Sequence, residues 1–366
     1  MKPIRFAYPE FYPEDINFYG EITDGQLVAG ERVQYLEKTL GAMFGVPYVL
    51  GTVSGTVALD LAISVLTQPD DIILMPAYCY VSLYYAAVKN FCDVWFVDCK
   101  KNFPIIDNSQ VYTAMERAKW EYGANRRRRI WLIAAGFAGV NVQLQLPIPG
   151  IAGVIYDNSH CISNSAYAKN EQTAAVCFSF GPTKEITGGA NAGAVCFFDR
   201  KAYEDAKCLS ENGKRGGDFV MVGCRGRMGE IGAGILLAQI ERLTTIQSQR
   251  SVAAGLYCGG LPDNLFGYSA GLLLQKSSWS LFPIFIPEAK RKMLELIFAK
   301  EHIGFSRHYV PIPAWDVCSE HKQAEQVEET LPNTYWLSRR EISLPMHTRL
   351  TGTEIARVIK TVWRVL

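Results

Sequence analysis

Short, almost wholly apolar runs alternate with longer segments of mixed polarity between about residues 47 and 200. Runs this apolar favour strands that are buried on both faces of a sheet, and the segments between them have helical spacing. The predicted strands are residues 48–52, 72–75, 94–98, 130–135, 153–157, 174–178 and 194–198, and the helices predicted among them are 56–66 and 81–89. This alternation predicts an α/β fold with a mostly parallel central sheet between helices.

The pattern changes after about residue 200, where helical segments outnumber apolar strands. The predicted helices are residues 232–245, 249–257, 287–300 and 354–366, and strand-like runs are 279–286 and 308–311. Thr351 and Glu354 are cap candidates for the last helix. We expect a large α/β domain at residues 1–240 and a smaller C-terminal α+β domain at residues 241–366, with a long helix bridging them.

Charge and composition exclude several classes of protein. The 366 residues carry a formal net charge of +1, so no overall field would recruit nucleic acid or an anionic membrane. Four consecutive arginines at residues 126–129 are the local exception. We interpret them as a solvated loop ahead of a buried strand, and the alternative is a nucleotide, phosphate or nucleic-acid patch.

The cysteines indicate the compartment. None of the ten cysteines belongs to a Cys-x-x-Cys pair, so we expect neither a metal site nor a disulfide framework. A reducing cytoplasm fits this usage. Because no apolar run has membrane-spanning or signal-peptide length, we expect a cytoplasmic protein with no membrane partner.

Single polar residues follow two of the predicted strands. Asp157 ends the run 153–157, and Lys184 follows the run 174–178 after a turn that contains Gly181 and Pro182. Strands of an α/β sheet present chemistry at their carboxyl ends. A lysine and an aspartate placed there suit pyridoxal phosphate (PLP), because the lysine forms a Schiff base with the aldehyde and the carboxylate pairs with the protonated pyridine nitrogen. The plainer alternatives are a surface lysine and a helix N-cap aspartate.

A phosphate site is predicted where a strand meets a helix. Ser54, Gly55 and Thr56 stand at this junction, where free backbone amides and the helix dipole attract an anion. Ser179, at the end of the strand that precedes Lys184, is predicted to share this phosphate side. A plain serine-capped helix start is the alternative.

Two ring-bearing residues are predicted to face the cofactor. Tyr80 follows the strand at 72–75, where an aromatic ring can stack on a planar cofactor. His160 lies within one turn of Asp157, where it can orient that carboxylate or cover the oxygen of the cofactor ring. A structural histidine is the alternative for His160.

In this order, these residues resemble the sugar-nucleotide aminotransferase family (the DegT/StrS group) of PLP fold-type I enzymes. The resemblance covers nearly the whole chain, and the segment from Phe178 to Thr187 around Lys184 is its most specific part. The other matching segments are residues 25–30, 54–59, 70–76, 94–98, 157–160, 227–228, 238–243, 308–309 and 342–345, together with Glu37, Arg250 and Tyr257.

The resemblance implies a homodimer with active sites at the subunit interface. It also implies transfer of an amino group from glutamate or glutamine to a nucleotide-linked keto sugar by a ping-pong mechanism. Lys184 and Asp157 would be catalytic, while His308 and Tyr309 would contact the substrate. The remaining cofactor contacts carried over by position are Tyr80 on the ring, His160 on the ring oxygen, and Gly55, Thr56 and Ser179 on the phosphate.

Three departures from the family pattern bear on the acceptor. Residues 190–193 read Ala-Asn-Ala-Gly where the family usually has Gly-Glu-Gly-Gly. Arg225 stands where the family often has Asn, in a loop that reaches the neighbouring subunit's cofactor phosphate, and it adds a charge and a bidentate fork. The segment between Gly139 and Gly153 is short for the usual helix. The alternatives are a PLP enzyme acting on a non-sugar acceptor and a non-catalytic relative that retains the fold.

Overall fold

The computed structural model describes residues 2–9, 11–21, 27–122, 128–162, 170–267 and 277–366, with backbone alone for residues 19–21. A 3-10 helix, Pro13–Glu21, precedes the main elements. The helices are α1 (Glu31–Phe44), α2 (Gly55–Leu66), α3 (Ser82–Lys89), α4 (Asn108–Tyr122), α5 (Arg200–Ser210), α6 (Glu230–Glu241), α7 (Leu243–Gly260), α8 (Glu288–Lys300), α9 (Val327–Thr330), α10 (Pro332–Ser338) and α11 (Gly352–Trp363). The strands are β1 (Tyr48–Thr52), β2 (Ile72–Pro76), β3 (Asp93–Val97), β4 (Ile130–Ala135), β5 (Gly153–Asp157), β6 (Thr173–Ser179), β7 (Gly193–Phe197), β8 (Lys214–Arg215), β9 (Asp218–Phe219), β10 (Phe282–Phe285) and β11 (Glu341–Leu344).

Seven strands form the central sheet in the order β1-β7-β6-β5-β4-β2-β3. Strand β7 runs antiparallel to both of its neighbours, and the other pairs are parallel. The carboxyl ends of β1, β2, β4, β5 and β6 therefore share one edge, the edge at which such sheets hold their ligands. The predicted α/β fold is confirmed, and each predicted strand of the sheet agrees with the observed one within one residue at each end.

Both faces of the sheet are buried. In β2, Ile72 and Leu74 pack into one core cluster while Ile73 and Met75 pack into the other. Successive side chains of a strand point to opposite faces, so a strand covered on both sides must be apolar throughout. This requirement explains the short continuous apolar runs of the sequence.

Side-chain hydrogen bonds to backbone amides mark where several helices begin. The Ser54 hydroxyl accepts from the backbone N–H of Val57 and caps α2. Thr351 and Glu354 form a reciprocal capping box on α11, as the sequence predicts. Helix α1 has no side-chain cap of its own, and the buried Glu230 carboxylate accepts instead from its first turn.

The second half of the chain departs from the prediction in three places. The strand-like run predicted at 279–286 is a strand only at Phe282–Phe285. The helix predicted at 232–245 ends at Glu241, and α7 begins at Leu243. Residues 308–311 are not a strand, because the His308 backbone N–H donates to the Glu341 side chain instead of to a neighbouring strand. A cis peptide bond joins His308 to Tyr309. Strands β10 and β11 form a separate antiparallel pair, and the domain division at residue 240 stays a prediction.

Two of the four arginines at 126–129 lie outside the described residues. Arg128 pairs with Asp93 and Arg129 with Asp71, directly before β4. These two side chains are therefore engaged in ion pairs with the neighbouring segments. Among the helices within the described ranges, none combines the length and apolar character needed to cross a bilayer.

Candidate active site

Two neighbouring parallel strands end at the site. Strand β5 ends at Asp157, which is 5 % exposed, and β6 ends at Ser179. Asp157 Oδ1 accepts a hydrogen bond of 3.0 Å from the backbone N–H of Ser159. No helix follows within residues 158–162, so this bond closes a turn and is not a helix cap. The buried Asp157 carboxylate can accept further hydrogen bonds beyond those from Ser159, since each of its oxygens has two lone pairs.

Lys184 and Asp157 are electrostatic partners. Burial lowers the pKa of Lys184, and the negative charge of Asp157 is the first effect that opposes this. Burial likewise raises the pKa of Asp157, while hydrogen bonds from Ser159 and the charge of Lys184 oppose the rise. Each group therefore favours the charged form of the other at a site that disfavours charge. The structure brings together the two residues on which the sequence prediction depends.

The start of α2 packs directly against the end of β6. A Cβ on Gly55 would lie 2.6 Å from the Ser179 Cβ, and a Cβ on Gly193 would lie 2.5 Å from the Gly55 nitrogen. Only glycine permits these approaches. Gly55 and the exposed Thr56 thus occupy the first turn of a 12-residue helix, beside the Ser179 hydroxyl. The free amides and positive dipole end of that helix form an anion site at the sheet edge.

The loop that carries Lys184 is held at two points. The Ser278 hydroxyl donates to the buried Glu185 carboxylate, next to Lys184 in the chain. Gln239 of α6, fully buried, accepts from the Thr187 N–H at 2.8 Å and donates to the Thr187 carbonyl at 2.9 Å. The sequence pattern indicated neither Glu185 nor Gln239 as an anchor. The available signal was a single carboxylate, directly after the lysine, in a turn that has no other acidic residue.

Five rings form a cluster near Lys184, called the aromatic wall here: Tyr80, Phe137, His160, His308 and Tyr309. The Tyr309 hydroxyl lies 2.9 Å from His160 Nε2, and the Tyr80 ring lies 6.1 Å from the Tyr309 ring, tilted by 52°. Phe137, which follows β4, lies 6.1 Å from the His160 ring and was not predicted. Tyr80 is 57 % exposed, so its ring borders an open space. Tyr80, His160 and Tyr309 therefore lie together, and their predicted contacts with cofactor and substrate stay a prediction.

The histidines of this wall are held neutral. Burial lowers the pKa of His160, and the charges of Lys184 and His308 lower it further. Burial and the Lys184 charge lower the pKa of His308 to about 3. Burial also raises the pKa of Tyr309 well above its ordinary value. Near neutral pH these rings therefore act as hydrogen-bonding groups without charge.

Arg225 stands apart from this group. Its side chain is exposed, and its backbone forms an antiparallel bridge with Glu211. The next residue, Gly226, accepts a hydrogen bond from the Val53 N–H near the start of α2. Within the ranges that the structure describes, no contact links the Arg225 guanidinium to Lys184 or Asp157 of the same chain. Its predicted role at the neighbouring subunit stays a prediction.

The departure at residues 190–193 is accommodated by packing. Ala190 and Asn191 are exposed, whereas Ala192 is buried and its carbonyl accepts from the Phe180 N–H at 2.8 Å. A Cβ on Gly188 would lie 2.6 Å from the Ala192 Cβ. The alanine thus fills space beside the lysine loop, and the loop keeps its connection to Phe180.

Several features of the site fit PLP. Lys184 offers an amine whose pKa is lowered, Asp157 offers a carboxylate beside it, and the Gly55–Ser179 contact forms an anion cradle. In addition, His160 Nδ1 is buried without a hydrogen-bond partner among the described residues. A bound polar molecule would satisfy that nitrogen.

Comparison with known proteins decides the family. The model of the DegT/DnrJ/EryC1/StrS aminotransferase family matches residues 14–363. The chain belongs to this family. It is a PLP-dependent transaminase. The assignment of Lys184, Asp157 and the start of α2 to that cofactor stays a prediction.

Individual relatives are distant but span the whole chain. The chain is 25 % identical to the UDP-N-acetyl-3-dehydro-alpha-D-glucosamine 3-aminotransferase of Acidithiobacillus ferrooxidans, with 100 % of this chain and 97 % of the relative covered. It is 25 % identical to the UDP-4-amino-4,6-dideoxy-N-acetyl-beta-L-altrosamine transaminase of Campylobacter jejuni serotype O:2, covering 94 % and 92 %. The PLP form of the putative sugar aminotransferase Spr1654 from Streptococcus pneumoniae superposes with a TM-score of 0.84 at 19 % identity, covering 100 % of both chains.

Proposed function

We propose that this protein is a cytoplasmic homodimer that transfers an amino group from glutamate or glutamine to a nucleotide-linked keto sugar. The electrostatic pairing of Lys184 with Asp157 at adjacent strand ends is the observation that carries the proposal. The names of the curated relatives, which act on UDP-linked sugars, support a UDP-sugar acceptor.

Each residue of the site has a defined task in this reaction. PLP, when bound, supplies an electron sink for the carbanion formed at the donor's α-carbon. The Asp157 carboxylate binds the protonated pyridine nitrogen, and its burial strengthens that charge-assisted hydrogen bond. The amides of Gly55 and Thr56, with the Ser179 hydroxyl, bind the phosphate. His160 and Tyr80 orient the ring from the aromatic wall.

Lys184 would both hold the cofactor and serve as a general base. With PLP bound, its Nζ would be the group that attaches the cofactor and, when free, the amine that moves the proton of the donor's α-carbon. Burial lowers the pKa of Lys184, so that the amine is more readily available as a base than an exposed lysine. The anchors at Glu185 and Thr187 keep the backbone of this loop in place while the side chain moves. The same residues would serve the second half-reaction, in which the amine reaches the ketone.

The acceptor can be identified by following the donor nitrogen. The holoenzyme is incubated with [15N]glutamate or α-[15N]glutamine and a panel of UDP-linked keto sugars or free keto acids, and products are analysed by mass spectrometry. We expect 15N in the UDP sugars and none when Lys184→Ala replaces the wild type. Label transferred only to free keto acids would contradict the sugar acceptor, and no transfer to any acceptor would contradict the proposal as a whole.

The segment between helices α5 and α6, which contains Arg225, supports the dimer. It exposes three large apolar side chains, Phe219, Val220 and Val222, and Val222 is 94 % exposed. A cluster of this kind is typical of a surface that a partner chain covers. The guanidinium of Arg225 would then bind the phosphate of the partner's site, where a planar fork pairs well with phosphate oxygens.

Mixed dimers test whether Arg225 acts in the partner's site. Differently tagged Lys184→Ala and Arg225→Ala chains are co-expressed, and the mixed dimer is purified and assayed. If Arg225 acts across the interface, one of the two sites carries both changes and the other is intact, which restores about half of the wild-type turnover. If it acts within its own chain, each site is damaged once and the mixed dimer stays as inactive as the parents.

A further inference from the structure

A buried hydrogen-bond chain lies behind the aromatic wall. Glu341, the first residue of β11, is 1 % exposed. Its Oε2 accepts from the His308 backbone N–H at 2.7 Å, and its Oε1 lies 2.5 Å from the Ser343 hydroxyl. The same hydroxyl lies 2.9 Å from His308 Nδ1. Glu341 is therefore linked to the His308 ring through a single oxygen, and the proposed reaction gives neither Glu341 nor Ser343 a task.

The donors and acceptors of this chain can be arranged in two ways. Ser343 has one O–H hydrogen. If Glu341 is ionised, its Oε1 only accepts, so Ser343 donates to it and His308 Nδ1 must carry the ring hydrogen that donates to Ser343. If Glu341 is neutral, its proton sits on Oε1, because Oε2 faces an N–H donor. Ser343 then accepts from Glu341 and donates to His308 Nδ1, and the ring hydrogen lies on Nε2.

We propose that Glu341 is a positioning residue that sets, through the Ser343 hydroxyl, which ring nitrogen of His308 carries the hydrogen. A proton taken from solvent by Glu341 makes His308 Nε2 a hydrogen-bond donor, and its loss makes Nε2 an acceptor. The ring gains no net proton in this exchange, since its hydrogen moves from Nδ1 to Nε2. The tautomer change stands on the hydrogen bonds alone, whereas its effect on the reaction rests on the proposed function.

The burial of Glu341 places this exchange in a mildly basic pH range. Burial raises the pKa of Glu341 to about 8, although hydrogen bonds from Ser343 and His308 and the charges of Arg307 and Arg291 oppose the rise. The other titratable groups that face it in the described residues are the phenols of Tyr78 and Tyr309, and burial raises the pKa of both, so that they stay neutral. Glu341 is thus mainly neutral at pH 7 and ionised at pH 9.

The His308 ring lies where its tautomer affects the site. The positive charge of Lys184 acts on it directly, and its centroid lies 6.5 Å from the His160 ring and 5.1 Å from the Tyr309 ring. Because burial and Lys184 keep the pKa of His308 at about 3, the ring is neutral in both arrangements. When Glu341 loses its proton, His308 Nε2 therefore changes from an N–H donor to a lone-pair acceptor. The charge of the ring stays the same.

Histidine nitrogen NMR tests the hydrogen-bond chain without any substrate, because it reports which ring nitrogen of His308 carries the hydrogen. The protein contains five histidines, so [15N]histidine-labelled holoenzyme gives few signals, and His308→Asn assigns the one that matters. We expect the His308 Nε2 signal to change from protonated to unprotonated with a midpoint near pH 8, the pKa of Glu341. A His308 tautomer that stays constant from about pH 6 to about pH 10 would overturn the proposal.

Two variants distinguish the Glu341–Ser343–His308 hydrogen-bond chain from unrelated effects of pH on the His308 signal. Glu341→Gln keeps both hydrogen bonds but can only donate to Ser343, so Nε2 should stay protonated at every pH. Ser343→Ala removes the link, so the tautomer should no longer follow pH. Glu230→Gln, which alters another buried carboxylate that holds backbone amides, should titrate as the wild type does. Because the wild-type titration is the primary measurement, a variant that folds poorly does not remove the test.

The effect on the reaction is measured separately. In the wild type we expect the donor half-reaction to change at least twofold across pH 8, and this change should be absent in Glu341→Gln. An identical pH profile in the two proteins would overturn the link to the site. An enzyme without transaminase activity would contradict the proposed function, while the NMR result would still decide on the hydrogen-bond chain.

Discussion

Gly55 packs so closely against Ser179, at the point where helix α2 meets strand β6, that no side chain fits between them. A Cβ on Gly55 would lie 2.6 Å from the Ser179 Cβ and 3.1 Å from its Cα and Oγ. The close approach places the first turn of the helix over the strand end that precedes Lys184. This packing contact therefore sets the start of α2 beside the strand end from which the lysine loop begins, while the loop itself is held by the hydrogen bonds of Glu185 and Thr187.

Gly55→Ala is predicted to weaken cofactor binding and destabilise the fold. The new methyl group has no space against Ser179, so the helix start must shift, at a cost of about 1–3 kcal/mol. We expect the affinity for PLP to fall at least about tenfold, measured by absorbance titration of the apoenzyme. Gly255→Ala is the matched control, because a Cβ there meets no described atom within 4 Å and should stabilise α7 by up to about 1 kcal/mol. Unchanged affinity in Gly55→Ala would count against the cradle.

Lys184→Ala is predicted to abolish covalent attachment of the cofactor. The visible absorbance band of the bound cofactor should disappear, and turnover should fall by at least about 10²–10⁴-fold, the usual contribution of a positioned general base. Lys201→Ala removes an exposed lysine of α5 and should leave both measurements unchanged. Multiple turnovers by Lys184→Ala with the amino donor would defeat the assignment.

Asp157→Asn is predicted to slow the reaction without destabilising the fold, because it removes the carboxylate charge but keeps the side-chain shape. The amide oxygen can still accept from the Ser159 N–H, but the side chain can no longer carry the negative charge that keeps the pyridine nitrogen protonated. Because burial already raises the pKa of Asp157, removal of the charge should leave stability within about 1 kcal/mol of the wild type. The donor half-reaction, followed by stopped-flow absorbance, should slow by about 10²–10⁴-fold. A half-reaction at the wild-type rate would exclude the proposed role.

The sequence predicts the sheet and its edge well because those features are local. A strand buried on both faces must be apolar along its length, so the strands that end at Asp157 and Ser179 can be read within one residue. The rule does not by itself single out Lys184, since a lone lysine beyond such a run is usually a surface residue; its place in order after Gly55, Tyr80 and Asp157 is what indicates a cofactor lysine. Ser54 and Thr351 cap their helices as predicted, because capping depends on residues three apart.

The sequence could not predict contacts made by residues far apart in the chain. Glu185 and Ser278 are 93 residues apart, and Thr187 and Gln239 are 52 apart, so no local pattern indicates their pairing. The error at residues 308–311 has the same origin. A strand-like run becomes an irregular segment because Glu341, 33 residues away, accepts the His308 backbone N–H.

Gln239→Met is predicted to loosen the lysine loop. The substitution retains the side-chain volume but leaves the Thr187 N–H and carbonyl, now bonded to Gln239, without those partners in a buried position. The free energy of unfolding should fall by about 2–4 kcal/mol, measured by urea denaturation. Gln34→Met, which changes an exposed glutamine of α1, should stay within about 0.5 kcal/mol of the wild type. Equal stabilities of the two variants would show that Gln239 does not hold the loop.

His308 is predicted to make the protein less stable in acid. Burial and the charge of Lys184 keep the pKa of His308 at about 3 in the folded protein, whereas an unfolded histidine titrates near pH 6.5. Between these values the unfolded chain binds a proton that the folded chain does not, so the free energy of unfolding falls as the pH is lowered from about 6.5. His308→Asn removes this group, and its stability should fall less steeply between about pH 6.5 and about pH 4, by up to about 1.4 kcal/mol per pH unit. Urea denaturation at a series of pH values measures both slopes, with the exposed His302→Asn as the control that should retain the wild-type slope. Parallel slopes for His308→Asn and the wild type would mean that the folded protein protonates His308 as readily as the unfolded chain does.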